Sequence, residues 1–251
     1  MTTKEDIRSQ FARTSHAYLS SATHAQDVDL DIVVTLLAPH EQMTVLDIAT
    51  GAGHTAMKVA PFVREVVATD LTEEMLERVQ ELQAKRNIAN VRPMLADAED
   101  LPFEDHAFDA VTCRIAPHHF LEIQKAVTEI GRVLKIDGVF ILEDSIAPLD
   151  EELDLFINTI ERVRDRTHIR SYSLPEWHTF CAHARVAVEE TLIYRKRHDI
   201  ADWIKRAAIS PEEEQEVQKL FQTAPAKAKQ YYEITENSFT DDKVIMKLRR
   251  F

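Results

Sequence analysis

The most restrictive feature of this sequence is a short strand that runs into a loop of very small residues. The apolar run at 43–49, Met-Thr-Val-Leu-Asp-Ile-Ala, predicts a buried strand, and a helix is predicted just after it over 53–60. Only four glycines occur in the chain, and two of them, Gly51 and Gly53, stand in the loop between these elements. Because the chain uses glycine so sparingly, we expect both to lie where the conformation or close approach of the backbone requires glycine. Strand, small loop and helix in this order are typical of doubly wound α/β proteins, which bind ligands at the carboxyl ends of their strands.

The alternation of strands and helices continues along the chain. Further strands are predicted at 66–68, 91–96, 108–113, 139–143, 186–194 and 244–248. Helices are predicted over 5–37, 72–87, 118–134, 150–166, 199–208 and 211–232, with another beginning at Pro175. Thr72 is the predicted N-cap of the helix over 72–87. This alternation predicts an α/β fold with a mostly parallel, doubly wound sheet and right-handed crossovers.

The composition argues against several classes of protein. The formal net charge of −13 and the pI of about 5.3 disfavour a nucleic-acid partner, because phosphate binding needs clustered Lys and Arg. Cys113 and Cys181 stand too far apart for a disulfide framework or a metal site, so no metal is expected. The polar start of the chain, and the lack of any run near the ~18 apolar residues of a transmembrane helix, predict a cytoplasmic protein without stable membrane insertion.

Three acidic residues lie at the ends of three successive predicted strands. Asp47 precedes the small loop, Asp70 closes the second strand, and Asp97 follows the third. The carboxyl ends of neighbouring parallel strands meet at one edge of a sheet, so we expect these acids to line one site. A carboxylate in the place of Asp70 can accept two hydrogen bonds from a ribose diol. Asp97 can accept from an adenine amino group, and the backbone N–H of Ala98 can donate to the ring.

These stretches resemble the class I S-adenosylmethionine-dependent methyltransferases, in particular the small-molecule group of ubiquinone/menaquinone-biosynthesis type (methyltransferase type 11). The matching segments, in the order found in the family, are 45–53, 67–75, 97–103, 108–119 and 132–144. The chain departs from the family at Ala49, where glycine is usual; because alanine is small, we expect little cost. The resemblance implies a Rossmann-like methyltransferase fold with seven strands, the last antiparallel. It also implies an N-terminal helical lid and a helical insert before the last strand.

One domain over 1–251 follows from this resemblance. Its parts are the lid at 1–40, a cofactor-binding core at 41–148, and a C-terminal half at 149–251 with helical caps at about 150–185 and 199–233. The caps are assigned to substrate selection. The expected partner is a small-molecule methyl acceptor, and a homodimer is left open.

The implied methyl donor is S-adenosylmethionine (SAM), and its product is S-adenosylhomocysteine. SAM carries an amino acid, a sulfonium, a ribose and an adenine but no phosphate, so Asp47 can act on its ammonium side without repelling it. Arg114, at the exit of the fourth strand, is expected beneath the ligand, and Tyr18 on the lid helix is expected to close over it. The predicted cofactor-binding residues are Tyr18, Asp47, Ala49, Thr50, Gly51, Asp70, Leu71, Asp97, Ala98 and Arg114.

Two other functions stay open from the sequence. Residues 51–56 also fit G-x-G-x-x-A, the fingerprint of a NAD-dependent oxidoreductase. In that case Asp47 would lie near a pyrophosphate, an unfavourable contact between like charges, and Asp97 would have no required role. The other alternative is a non-catalytic protein that binds SAM as a sensor and has lost the chemistry.

The catalytic candidates are His119 and His118, which follow the fourth strand beside the expected position of the methyl group. Methyl transfer is an in-line displacement at an activated sulfonium, so the protein supplies positioning and, for a weakly acidic acceptor, a base. Adjacent helical residues point about 100° apart, so one histidine is expected to face the sulfonium, with His119 favoured. Capping or backbone hydrogen bonding is the alternative role for either residue.

Weaker candidates lie further along the chain. Asp144, at the end of the fifth strand, is the next candidate base, or else a helix cap. The run at 162–172, rich in arginine, fits an anionic substrate or a solvated helix end. Trp177 and Trp203 fit an apolar pocket, although core packing is the default expectation for both.

Overall fold

A computed structural model describes residues 2–20 and 28–251 of the protein, and the side chains of residues 2–15 and 29–251. Seven strands form one sheet: β1 (Thr44–Ile48), β2 (Glu65–Asp70), β3 (Val91–Leu95), β4 (Phe108–Arg114), β5 (Leu134–Ile146), β6 (Val186–Asp199) and β7 (Ser238–Arg250). Their order is β3-β2-β1-β4-β5-β7-β6, and β7 runs antiparallel to both of its neighbours. The predicted α/β fold with a mostly parallel seven-stranded sheet is confirmed.

Helices cover both faces of this sheet. They are α1 (Lys4–Ser20), α2 (Val28–Leu37), α3 (His54–Val59), α4 (Glu73–Arg86), α5 (Ile123–Val133), α6 (Glu151–Arg164), α7 (Leu174–His183), α8 (Ile200–Arg206), α9 (Pro211–Gln222) and α10 (Ala226–Tyr231). Residues of α2, α3 and α4 pack on one face of the sheet, and α5 and α7 pack on the other. Helices α8 to α10 are the predicted insert before the last strand, and they form a separate apolar cluster with α6 around Trp203 and Phe239.

The strand order reverses between β1 and β4, because the chain moves from β1 to β2 and β3 on one side and then returns to β4 on the other. Ligands bind at such a switch point, outside the carboxyl ends of the strands. All five residues of β1 are buried, and β1 pairs in parallel register with β2 and β4. The loops after β1, β2 and β4 are therefore fixed next to one another.

The C-terminal strands are longer than the sequence pattern predicted. The last strand was expected over 244–248, but β7 spans 13 residues from Ser238 to Arg250. Its polar residue Asp241 is buried beside Lys243, at 2.8 Å, and beside His198 on β6, at 2.9 Å. Ion pairs thus allow charged residues in a buried strand. A strand pattern based on alternating apolar residues predicts a loop at such positions.

Several predicted boundaries also need correction. The helix expected over 5–37 is described as two helices, α1 and α2, with 21–27 outside the described residues. Thr72 occupies the N-cap position of α4 but makes no side-chain cap bond. The helix expected from 118 begins only at Ile123, and a 3₁₀ turn at Pro117–His119 precedes it. The helix expected over 211–232 is divided into α9 and α10, with Pro225 at the N-cap of α10.

Both cysteines are free and buried, Cys113 on β4 and Cys181 on α7. Burial raises the pKa of the Cys113 thiol well above its ordinary value and that of Cys181 to about 12. Among the described residues, we find no helix with both the length and the apolar character needed to cross a membrane.

Candidate functional site

A cavity of about 1020 Å³, part of it open to solvent, lies at the carboxyl ends of β1 to β4. Helix α1 contributes one wall through Lys4, Ile7 and Phe11. The predicted cofactor residues that line the cavity are Asp47, Ala49, Thr50, Gly51, Asp70, Leu71, Asp97, Ala98 and Arg114. Tyr18 belongs to α1, but its side chain lies outside the described part of the chain.

Asp47 lies near the end of β1 with its carboxylate buried under the loop. Oδ1 accepts a hydrogen bond from Oγ1 of Thr112 on β4 at 2.6 Å, and Oδ2 accepts one from Oγ1 of Thr50 at 2.5 Å. Burial raises the pKa of Asp47 to about 6, although both hydroxyls and nearby Arg114 favour the charged form. A buried carboxylate whose pKa stays raised despite these partners gains from a cationic ligand group.

Asp70 connects the loop after β1 to the loop after β2. Its Oδ2 accepts a hydrogen bond from the N–H of Gly51 at 2.9 Å, and its Oδ1 accepts one from the N–H of Thr72 at 3.0 Å. Burial raises the pKa of Asp70 to about 6 against these bonds. Each carboxylate oxygen has a second acceptor direction, so the pair of oxygens suits a ligand diol.

The small loop after β1 uses left-handed backbone at three positions. Gly51 has a φ of 55° and Gly53 a φ of 86°; a Cβ on Gly53 would also lie 3.1 Å from a methyl carbon of Val79. Ala49 has a φ of 50°. We expected little cost at Ala49 because alanine is small, but the cost arises from its backbone conformation, which residues other than glycine adopt with strain.

Lys4 on α1 ties the N-terminal helix to the loop after β3. Its Nζ contacts Oδ2 of Asp97 and lies 2.9 Å from Oε2 of Glu99, whose side chain is buried. Burial acts against the charged amine, but the two carboxylates raise the pKa of Lys4 above its ordinary value. Asp97 also accepts a hydrogen bond from the N–H of Glu99 at 2.9 Å. The predicted adenine-binding residue is therefore paired with the helix that covers the cavity.

Arg114, at the end of β4, is buried between two acids. Its Nη2 donates to Oδ2 of Asp29 on α2 at 3.1 Å, and its Nε lies 2.8 Å from Oε2 of Glu143 on β5. Tyr194 on β6 donates from its hydroxyl to Glu143 at 2.9 Å. Burial raises the pKa of Glu143 to about 8, with Arg114 opposing the shift and Asp29 adding to it. Arg114 thus lines the cavity with its guanidinium already in contact with two acids of the protein.

The two adjacent histidines have different surroundings. His119 lines the cavity, and its ring contacts Phe11 edge-on with 4.9 Å between ring centroids. His118 is not among the lining residues. Its backbone N–H donates to Oδ2 of Asp144 at 2.9 Å, and its Nδ1 lies 2.6 Å from Oδ1 of the same acid. The pair lies on a 3₁₀ turn and not on the predicted α-helix, with 4.1 Å between the ring centroids. As predicted, one of the two histidines faces the site and the other does not.

The hydrogen bonds of His119 determine where it carries its proton. Its Nδ1 lies 3.1 Å from the carbonyl oxygen of Thr167. A carbonyl only accepts, so Nδ1 carries the hydrogen and Nε2 keeps the lone pair. Burial, with a smaller contribution from the charge of His118, lowers the pKa of His119 to about 4. For His118, burial acts in the same direction but Asp144 outweighs it and raises the pKa.

A third histidine, His168, extends this cluster. Its ring lies 5.5 Å from that of His118, and its Nε2 lies 3.0 Å from Oδ1 of Asn158. Burial, followed by the charges of His118 and His119, lowers the pKa of His168 well below its ordinary value. The cluster therefore holds a proton preferentially on His118, while His119 stays neutral at the cavity wall.

The remaining sequence candidates have structural partners. Asp144 is buried within β5 and binds His118, so it positions that ring and neither caps a helix nor lines the cavity. Three of the four arginines in the 162–172 run pair with the protein's own acids: Arg164 with Glu161, Arg166 with Glu213, and Arg170 with Asp154 and Glu176. The fourth, Arg162, donates to the carbonyl oxygen of Ile169 at 3.0 Å. The use of this run for an anionic substrate stays a prediction. Trp177 and Trp203 are buried in apolar clusters, as expected by default.

Sequence reasoning missed several residues of the site. Lys4 and Ile7 line it from α1, and Thr112 fixes Asp47 from the neighbouring strand. Glu99 lies within the 97–103 segment, where a second acid close to Asp97 is a signal visible in the sequence. No comparable signal marked Lys4.

The charged groups of the cavity wall are mostly acidic. Asp47, Asp70, Asp97 and Glu99 line it, against the cations Lys4 and Arg114, which already contact carboxylates. Such a wall favours a cationic ligand and disfavours a pyrophosphate. Within residues 2–20 and 28–251, no group of His, Cys, Asp and Glu side chains is placed to hold a metal ion.

Comparisons with known proteins agree with this geometry. Residues 46–142 match the family model described as a methyltransferase domain. The uncharacterized methyltransferase YcgJ of Bacillus subtilis (strain 168) is 36% identical over 227 residues, which are 90% of this chain and 90% of that protein. The crystal structure of YcgJ superposes with a TM-score of 0.86 at 34% identity, over 88% of this chain and 97% of the other.

Two further proteins share parts of this similarity. The ubiquinone/menaquinone biosynthesis C-methyltransferase UbiE of Rickettsia prowazekii (strain Madrid E) is 33% identical over 110 residues, 41% of this chain and 44% of that protein. Geranyl diphosphate C-methyltransferase of Streptomyces coelicolor A3(2), solved with S-adenosylhomocysteine, has a TM-score of 0.65 over 99% of this chain and 97% of that one. At 14% identity, this last similarity shows the fold alone.

Proposed function

Since this chain is an enzyme of the methyltransferase family, we propose that it transfers a methyl group from SAM to a small-molecule acceptor. The observation that carries the proposal is the set of acids at the carboxyl ends of β1 to β3. Asp47, Asp70 and Asp97 line one cavity beside a loop of small residues. Their order suits the ammonium, ribose and adenine groups of SAM.

The charge of the cavity separates SAM from NAD. SAM has a sulfonium and an ammonium, and both are favoured beside the buried carboxylates of Asp47 and Asp70. The pyrophosphate of NAD would meet the same carboxylates with unfavourable charge, and the cations of the wall are already paired. The charge of the wall therefore favours the methyl donor over the nicotinamide cofactor.

When bound, SAM supplies an activated methyl group that a nucleophile displaces in line. The protein's own share is to hold the donor in one orientation, to exclude water and to accept a proton from the acceptor. Asp47 and Asp70 hold the two ends of the donor's polar part, and α1 covers it through Ile7 and Phe11. His119 offers the lone pair of Nε2 as the proton acceptor, with Nδ1 fixed by the carbonyl of Thr167.

The residues that line the cavity near His119 indicate the kind of methyl acceptor that fits there. Phe11, Phe120 and Leu121 line the cavity beside it, so an acceptor with an apolar body fits this end. The transfer is proposed to an O, N or C nucleophile of such a molecule. The name of UbiE, which refers to ubiquinone and menaquinone biosynthesis, lends support to an acceptor of this class.

Calorimetry with purified protein tests the donor. SAM and S-adenosylhomocysteine are expected to bind in the micromolar range, and NAD to give no heat of binding. Binding of NAD in the absence of SAM binding would overturn the proposal. Incubation with SAM and a fractionated small-molecule extract tests the reaction, with S-adenosylhomocysteine measured as the product. A protein that binds SAM but forms no product with any fraction would be a SAM-binding protein without turnover, contrary to the proposal.

A further inference from the structure

The two edges of the sheet differ in how far they are protected from added strands. At one edge, β3 has only five residues and contains Pro93, which cannot donate a hydrogen bond to another strand. At the other edge, β6 has 14 residues and no proline. Among the described residues, β7 is the only strand that pairs with β6, so the outer side of β6 is an open edge. Long open edges act as templates for strand addition.

The middle of β6 is uncovered on both faces of the sheet. Residues 189–193 are all exposed, and Leu192 and Ile193 keep 42% and 54% of their surface in contact with solvent. Successive residues of a strand point to opposite faces, so each face presents one of these apolar side chains. An open edge flanked by apolar side chains is more stable when it pairs with another strand than when it is exposed to water.

The sequence of this part of β6 indicates which strand pairs with its open edge. From 190 to 196 it reads Glu-Thr-Leu-Ile-Tyr-Arg-Lys, with an acid at one end, bases at the other and apolar residues between. Reversed, the same segment brings its basic end to the acidic end. We propose that a second copy of this chain pairs with β6 in antiparallel orientation, joining two seven-stranded sheets across a two-fold axis at Ile193.

Strand geometry restricts where this axis can lie. Opposite residues of an antiparallel pair share a face, and a two-fold axis normal to the sheet keeps every residue on its own face. The axis must therefore pass between the two copies of one residue, and not midway between two successive residues of a strand. From Glu190 to Asp199, β6 pairs with β7 without a register shift, so its faces alternate regularly there. An axis at Ile193 sets Leu192 opposite Tyr194, Thr191 opposite Arg195, and Glu190 opposite Lys196.

The charges select this axis over the two neighbouring ones. An axis at Leu192 would set Glu190 opposite Tyr194, and an axis at Tyr194 would set it opposite His198, so both lose the ion pair with Lys196. Within its own chain, Glu190 contacts Lys247 only at 3.8 Å, and its side chain is about half exposed, so its carboxylate can accept a second cation. Two-fold symmetry forms each pair away from the axis twice, which doubles the effect of the complementary charges.

Charges on edge strands also serve to block association, and β6 carries a bulge between Val188 and Glu190. A blocking pattern of one sign repels an incoming copy in either direction. Here the signs differ on the two sides of Ile193, so an antiparallel copy is attracted and a parallel copy is repelled. The bulge lies just outside the seven paired residues and marks the end of the regular stretch.

This pairing is separate from the methyl-transfer site. No described residue of β6 lines the cavity at the carboxyl ends of β1 to β4. Variants of the exposed residues on β6 are thus expected to keep SAM binding, and the proposed association stands or falls independently of the proposed reaction.

Sedimentation equilibrium of the full chain, from micromolar to millimolar concentration at low salt, tests the proposal. The wild type is expected to show a monomer–dimer equilibrium. Glu190→Lys and Lys196→Glu each turn two attractive pairs into two repulsive pairs, so each is expected to weaken association by at least about tenfold. The double variant, which exchanges the two charges, is expected to recover wild-type association. Ile193→Lys places two ammonium groups at the axis and is expected to leave monomers.

Matched controls are Glu216→Lys and Lys205→Glu, which make the same charge changes at exposed positions on α9 and α8. Both are expected to associate like the wild type, and thermal melting of every variant checks that it is folded. A wild type that stays monomeric at millimolar concentration overturns the proposal. So does a double variant as weak as the single ones, or a dimer that Ile193→Lys leaves intact.

Discussion

The two ends of the cavity are held by different kinds of contact. At the acidic end, formed by Asp47 and Asp70, the partners are groups of the same loops or of the adjoining strand β4. At the histidine end, where His119 lines the wall and His118 lies beside it, the partners lie outside β1, β2 and β4. His118 depends on Asp144 on β5, and His119 on Thr167 in the connection between α6 and α7.

This difference separates donor binding from chemistry. The acidic end is fixed once the parallel strands have paired, whereas the histidine end also needs the connection between α6 and α7 in place. Changes in that connection can therefore alter the reaction or its acceptor while the donor site stays intact.

The largest effect is expected at the histidine end. His119→Ala removes the proposed proton acceptor and is expected to lower kcat by about 10²–10⁴-fold once an acceptor is known. SAM affinity, measured by calorimetry, is expected to stay nearly unchanged, because Asp47 and Asp70 keep their partners.

His118→Ala is the matched control, since this ring is bound to Asp144 and does not line the cavity. A much smaller loss of kcat is expected. If His118→Ala had the larger effect, the two roles would be reversed. Near-normal turnover in both variants would place the base elsewhere or mean that the acceptor arrives already nucleophilic.

A loss in binding is expected at the acidic end. Asp70→Asn keeps the size of the side chain but removes the charge from a bidentate hydrogen-bonded pair worth roughly 1.5–3 kcal/mol in total. SAM affinity is expected to fall about ten- to a hundredfold, with kcat at saturating SAM much less affected. Calorimetry gives the affinity and thermal melting verifies the fold. Unchanged affinity in a folded variant would mean that Asp70 does not bind the donor.

The pH dependence of SAM binding sharpens the same contrast. Burial raises the pKa of Asp47 and of Asp70 to about 6, and a cationic donor requires their charged forms. Affinity is expected to fall by up to about tenfold per group between pH 7 and pH 5. Calorimetry across this range measures it, and Asp70→Asn is expected to show a shallower dependence. A flat profile for the wild type would contradict the expectation.

The contribution of Asp47 and Asp70 to the stability of the fold is expected to change with pH in the opposite direction to SAM affinity. Both acids have a higher pKa in the folded chain than in the unfolded chain, so between about pH 4 and pH 6 the folded state binds more protons. The contribution of these two acids to the free energy of unfolding therefore decreases as the pH rises through this window, by at most about 1.4 kcal/mol per pH unit for each group. The difference between wild type and Asp70→Asn in denaturant titrations isolates the share of Asp70.

The smallest effect is expected from the N-terminal helix. Lys4→Met removes the cation that joins α1 to Asp97 and Glu99. Because Lys4 is partly exposed, the loss is expected to be about 0.5–1 kcal/mol, or a two- to fivefold faster release of SAM in stopped-flow experiments. Arg8→Met on the same helix is the control, since Arg8 only approaches Glu5 at 3.9 Å near solvent. Equal release rates in the two variants would show that the Lys4 contact does not retain the donor.

The sequence predicted the acidic end well for a physical reason. Asp47 and Asp70 end short apolar strands, and the ends of adjacent parallel strands meet wherever such a sheet forms. Gly51 and Gly53 marked the loop because positive φ favours glycine. Positions that follow from backbone pattern alone can be predicted from a single chain.

The remaining features depend on tertiary contacts that no local pattern encodes. The contact of Lys4 forms only because α1 docks beside the loop after β3. The turn that carries His118 and His119 is fixed by Asp144 and by residues 167–170, so a helix predicted from local pattern began too early. The extra length of β7 depends on the buried pair of Asp241 and Lys243.

The two buried thiols have a practical consequence for reagents that modify cysteine. Only the thiolate reacts, and burial disfavours the thiolate of both Cys113 and Cys181, so the folded chain resists alkylation. Both side chains belong to the apolar cluster on the α5 and α7 face of the sheet. Modification then proceeds through opening of this cluster, and its rate records that opening without any added probe. A single cysteine introduced at the surface would, for the same reason, take up a label alone.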